Sequence, residues 1–201
     1  MKFLKQILLD WEIPNINEDV YDNFFDLNHN NGFFISYYPK RIESVEKFVS
    51  TEIFWQRYLD KEISFEDVNK VENNIINFIN TLWNYNTVDL EYFREDYFNE
   101  KDFKKLFAKF SKETKNKARN ICSHDIIKNI DKDLFDIFVK SSVRDMQIST
   151  YFVFNEWKMI ICFSDYEVHG IARDKSKYSL LKDIATANSL YFVEANEWYK
   201  N

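Results

Sequence analysis

Glycine and proline are nearly absent from this chain, with two of each in 201 residues. So small a supply leaves few turns that need a positive φ, and no Gly-rich loop to cradle a phosphate. This argues against nucleotide sites of the Walker or dinucleotide-binding kind. Turns then fall to Asn and Asp, most plainly in NHNNG at residues 28–32. Cysteine is equally scarce. Cys122 and Cys162 show no C-x-x-C spacing and are too few for a disulfide framework, so reduced thiols are expected. Each also sits beside apolar residues, Cys162 within MIICF and Cys122 after an isoleucine, the setting of a core thiol and not of a nucleophile. No G-x-S-x-G is present. Long apolar runs are missing too. No window approaches the ~18–20 residues of a membrane span. The apolar run of MKFLKQILLDWEIP is broken by Asp10 and Glu12 before it reaches signal-peptide length. The expectation is a soluble, cytoplasmic protein with no membrane partner.

What the chain does have is apolar mass and segregated charge. Apolar residues make up 45%, ample for a core, and 30% charged residues mark a folded and not a disordered chain. Aromatics reach 18%, a surplus that can serve binding as well as burial. The net charge of −6 is unevenly spread. Residues 1–100 hold 19 acids against 9 bases, whereas residues 101–120 hold 2 acids against 8 bases. Polarised charge of this kind bears on partners more than on fold.

Periodicity predicts helices through most of the first two-thirds. Phe3, Leu4, Ile7 and Leu8 share one face; Val20, Phe24 and Leu27 suggest a second helix; residues 41–59 form a third, along Ile42, Val45, Val49 and Tyr58. Ser64 and Asp67 have capping-box spacing ahead of the stripe Val68, Val71, Ile75, Phe78, Ile79, Leu82. Residues 88–98 look helical and aromatic. Residues 100–123 read as one long basic helix, and residues 125–143 as another. FFISYY at residues 33–38 suggests a strand ended by Pro39. After residue 147 the pattern turns β-branched and aromatic, giving a hairpin turning at Asn155–Glu156 and a third strand over 167–173. A helix over KYSLLKDIATAN and a strand at LYFVE close the chain. The expected fold class is α+β: a predominantly helical first two-thirds, then a small antiparallel sheet over about 147–173 and a C-terminal helix. It forms a single domain over 1–201, and any sub-boundary falls at 143–147.

ARNICSHDII, residues 118–127, is the most specific polar stretch. Its Arg119, Asn120 and His124 form an R-N-x-x-x-H pattern that resembles the signature of the HEPN superfamily of toxin and abortive-infection ribonucleases. The resemblance implies that Arg119 stabilises charge on the phosphate. It implies that His124 assists proton transfer as the RNA 2′-OH attacks, and that Asn120 positions it, with no metal required. The residue types suit that chemistry, since Arg binds phosphate bidentately and His titrates near neutrality. Lys101, Lys105, Lys112, Lys115 and Arg119 recur at helical spacing, a cationic stripe suited to RNA.

Asp165, Glu167 and His169 would share one face of an extended strand, so they could bind a divalent metal. The charged outer face of a hairpin explains them better, and no metal or cofactor is expected. The remaining signal is the interleaving of carboxylates with rings in DVYDNFFD, DLEYFREDYFNE and FSDYE. Rings anchor and carboxylates steer in interfaces with basic proteins. The binding face is expected to include Tyr21, Asp22, Asp26, Glu91, Tyr92, Glu95, Asp96, Tyr97, Asp165, Tyr166 and Glu167. Small, acidic, aromatic chains without catalytic motifs resemble bacterial immunity proteins in general type. The leading expectation is therefore a non-enzymatic immunity or antitoxin module that neutralises a basic protein. A HEPN-like, metal-independent endoribonuclease is the alternative, with RNA a partner only in that case. A structural or regulatory domain is the third.

Overall fold

The computed structural model describes residues 3–13, 31–38, 55–94, 110–121, 125–144, 148–164 and 167–198. Its helices are α1 (Phe3–Asp10), α2 (Trp55–Leu59), α3 (Phe65–Trp83), α4 (Lys112–Asn120), α5 (Lys132–Val143), α6 (Tyr178–Ala187) and α7 (Ala195–Trp198). Its strands are β1 (Gly32–Ser36), β2 (Val88–Arg94), β3 (Ile126–Ile127), β4 (Ile148–Phe154), β5 (Met159–Ser164), β6 (Glu167–Ala172) and β7 (Tyr191–Glu194). A 3₁₀ turn at Lys175–Lys177 leads into α6.

All seven strands form one sheet in the order β3-β2-β4-β5-β6-β1-β7, and each described pairing is antiparallel. This overturns the expectation of a helical first two-thirds followed by a small sheet. β1 comes from residue 32, yet it lies between β6 and β7, with Phe34 opposite His169 on one side and Val193 on the other. β2, expected as helix, pairs along its whole length with β4, from Val88↔Phe154 to Arg94↔Ile148. Its alternation is a strand's: Val88, Leu90 and Tyr92 enter the main core, while Asp89 and Glu91 point to the other face. Long-range pairing stabilises a strand whose local propensity is ambiguous.

Each face of the sheet has its own cover. On the first, Phe33, Val88, Leu90, Phe152, Ile161 and Val168 pack with the apolar faces of α3, α5 and α6. On the second, Tyr151, Val153, Ile160, Cys162 and Ile171 pack beneath Leu4, Leu8 and Ile13. Each side chain fully removed from water contributes about 1.5–3 kcal/mol.

Helix α3 starts where its capping box predicts. The Ser64 hydroxyl accepts the Asp67 N–H at 3.1 Å, and the Asp67 carboxylate accepts the Ser64 N–H at 3.3 Å. The two later helical expectations fail at caps. Ser111 is extended (ψ 155) and its hydroxyl accepts the Thr114 N–H, so α4 begins afresh at Lys112 and does not continue an earlier helix. Asp131 likewise caps α5 through the Leu134 N–H, and residues 126–127 ahead of it form the edge strand β3. Of the helix expected over 41–59, only residues 55–59 are described, and they are helical. The helix expected along Val20, Phe24 and Leu27 lies outside the described residues.

Helices α3 and α5 are joined by a buried ionic cluster. The Arg144 guanidinium, at the end of α5, donates from Nε and Nη2 to the two oxygens of Glu72, the latter at 2.8 Å. Lys140 Nζ lies 3.3 Å from the same carboxylate. Among the described residues, no helix is long and apolar enough to cross a membrane.

Candidate functional site

The expected binding face splits three ways. Tyr21, Asp22, Asp26, Glu95, Asp96, Tyr97, Asp165 and Tyr166 lie outside the described residues. Glu91 and Tyr92 are placed inside, at 2% and 4% exposure, Glu91 across from Tyr151 and Tyr92 edge-on to Phe138. Both faces of β2 are covered, so alternating acid and ring there does not make a surface. Glu167 is half-buried on β6, where one oxygen accepts the Ser36 hydroxyl at 3.0 Å and the other lies 3.6 Å from His169 Nε2.

Cys162 stands opposite His169 in the β5–β6 register. A thiol, an imidazole and a carboxylate on neighbouring strands are the residue types of an activated nucleophile. The surroundings forbid it. Cys162 is 4% exposed, and burial pushes its thiol well above the ordinary range, away from the reactive thiolate. In a Cys122→Ser variant, Cys162 should therefore stay silent to a chromogenic disulfide reagent at pH 8. It should react in full once denaturant is added, and fast native labelling would show an accessible thiol. Among the described residues, no group of three His, Cys, Asp or Glu side chains could hold a metal ion.

For the R-N-x-x-x-H stretch the structure describes the backbone through Ile121, and His124 lies outside the described residues. Asn120 is the last residue of α4 and exposed, and Ile121 leaves the helix at ψ 121. Residues five apart on a continuous helix point ~140° from one another. The end of α4 between Arg119 and His124 removes that constraint. Of the cationic stripe, Lys112 and Lys115 lie on α4, and Lys101 and Lys105 lie outside the described residues.

Acid and apolar surface do meet at the junction of α2 and α3, which the binding-face expectation did not include. Leu59 is 51% and Phe65 48% exposed. The Tyr58 ring centroid lies 5.4 Å from that of Phe65. Asp60, Glu62, Glu66 and Asp67 are exposed around them. The sequence signal was present as LDKEISFED, where Leu59 and Phe65 stand among acids and outside the α3 stripe. No protein-family model matches this chain, and comparison with curated proteins and with solved structures found no match to either.

Proposed function

We propose that the chain is a non-enzymatic protein-binding module of the immunity or antitoxin type, acting in the cytoplasm on a basic partner. The observation that carries this reading is the α2–α3 junction, where Leu59 and Phe65 stand half exposed among four exposed carboxylates. Large apolar side chains gain by leaving water, and carboxylates beside them set register and steer a cationic partner. The acidic balance of residues 1–100 acts in the same direction.

The test uses the chain as bait in lysate of its native host, at low and high salt, beside a Leu59→Ser/Phe65→Ser variant of unchanged thermal midpoint. The wild type should retain a basic protein at low salt, and the variant should lose most of it. Equal retention by the variant, or no basic protein in repeated low-salt captures, overturns the reading. A ribonuclease using Arg119, Asn120 and His124 is the second reading, favoured by the helix end at Asn120. RNA cleavage in EDTA by the wild type but not by His124→Ala would put it first.

A further inference from the structure

The sheet ends in two edges, β3 and β7, and the chain treats them differently. An edge strand carries a row of unpaired N–H and C=O groups, which proteins commonly guard by short length, lysine, proline or a bulge. β3 is guarded. It has two residues, and Lys128 and Asn129 follow it, with Asn129 in the left-handed region at φ 47. β7 reads Tyr-Phe-Val-Glu and holds no lysine, proline or glycine. Among the described residues, no strand pairs with its outer side.

The register shows which backbone groups face outward there. The Ala172 N–H donates to the Asn31 carbonyl at 3.1 Å, one step beyond the pair Gly32↔Ile171. Successive residues of an antiparallel strand send their N–H and C=O groups to opposite sides. Asn31, Phe33 and Ile35 therefore bond toward β6, and Phe34 and Ser36 toward β7. Their partners Val193 and Tyr191 bond back to β1. That directs the Phe192 N–H and C=O, and the Glu194 N–H, away from the sheet. Side chains alternate in the same way. Phe192 stacks on Phe33 at the rim of the main core, while Tyr191, 47% exposed, shares the other face with Val193.

We propose that the β7 edge takes up an extended, cationic segment of a protein partner as a further antiparallel strand of the sheet. Main-chain hydrogen bonds supply the attachment, and alternate side chains supply the selection. The residue opposite Phe192 exchanges both backbone bonds with it, and the residue opposite Glu194 accepts its N–H. Charge decides the sign of the occupant. Residues 183–198 include Asp183, Glu194 and Glu197 and no Lys, Arg or His. Lys175 pairs with Glu194 through Oε2, so Oε1 can take a cation opposite it on the added strand. A second copy of the chain could also offer a strand, but two copies each carrying −6 repel, whereas a cationic segment is drawn in. The proposal rests on β7 alone and not on the reading of the α2–α3 junction.

The probe is a fluorescein-labelled hexapeptide, Lys-Lys-Val-Ile-Val-Lys, followed by anisotropy against the full chain. Its isoleucine is placed to face Phe192. One copy carries an N-methyl group on that isoleucine, which removes the N–H that a β-ladder needs, and a second copy has glutamates for the lysines. The first peptide should bind saturably, and both copies should bind about tenfold more weakly or worse. Tyr191→Lys, which adds a guarding cation to an exposed position, should weaken binding about tenfold, while Leu59→Ser/Phe65→Ser leaves it unchanged. Circular dichroism and the thermal midpoint check that both variants stay folded. Absence of saturable binding overturns the proposal, as does equal binding by the N-methyl copy or loss of binding in Leu59→Ser/Phe65→Ser. Sedimentation equilibrium tests the second copy: a wild-type dimer that Tyr191→Lys returns to monomer gives the edge to self-pairing and overturns the proposal too.

Discussion

Replacing Glu72 by alanine should cost about 3–5 kcal/mol of folding stability, because it strands a buried guanidinium. Glu72 is 1% exposed and Arg144 6%, so neither charge regains water when its partner goes. Lys140 is 30% exposed at its side chain and can swing its ammonium outward, so it contributes little to the loss. For a domain of this size the loss lowers the thermal midpoint by on the order of 10 °C. The partner of this experiment is the double substitution Glu72→Met/Arg144→Met. Replacing a buried ion pair by apolar side chains of similar volume is often neutral, since the cost of desolvating two charges disappears with them. The double variant should recover most of the stability that Glu72→Ala loses. Urea denaturation of the three proteins decides the matter. A loss below about 1 kcal/mol for Glu72→Ala, the range of an exposed pair, would mean that the cluster is open to water.

Half of that cluster is visible in the sequence. Glu72 lies four residues after Val68 and three before Ile75, on the apolar stripe of α3, where an unpartnered carboxylate has no business. Its partner cannot be found the same way, because Arg144 is 72 residues on and follows a helix that gives it no distinguishing period. The same division runs through the fold. Local devices are legible: the capping box of Ser64 and Asp67, the β4–β5 hairpin at Asn155, the closing helix before Asn188. Strand partners are not. β1 is recognisable as β-like from Gly-Phe-Phe-Ile-Ser, but nothing local tells that it is inserted between β6 and β7.

The site shows the cost of reading composition as surface. Glu91 and Tyr92 alternate acid with ring, which on a one-sided strand would put the acid in water. β2 is instead covered on both faces, and both side chains are buried. The stacking of the Tyr85 ring on Trp157, with centroids 5.8 Å apart, was hidden for the opposite reason. Each residue sits in a turn, residues 84–87 and 155–158, that looks like an ordinary connection, and only five hydrogen bonds between the two turns reveal that they are one structure.

Gly170→Ala sets two opposed effects against each other, and their magnitudes predict the sign. Gly170 does not have positive φ, so alanine suits its backbone. On backbone grounds alone the substitution would stabilise by about 0.4–1 kcal/mol. Packing works the other way. A Cβ at Gly170 would stand 2.1 Å from Phe33 Cζ and 2.5 Å from its Cε1, inside the ring that lies across the strand. The ring cannot slide aside, for it is 1% exposed and wedged between Tyr178, at 5.7 Å, and Phe192, at 5.5 Å. Overpacking of this kind costs about 1–3 kcal/mol, and so hard a clash belongs at the upper end. The net expectation is a loss of about 2 kcal/mol, the packing cost less the backbone gain. Phe33→Ala by itself should cost about 3–5 kcal/mol through the cavity it opens. Combined with Phe33→Ala, Gly170→Ala should cost nothing further, because the added methyl then occupies part of that cavity. Strict additivity of the two losses in urea denaturation would show that Phe33 and Gly170 do not touch.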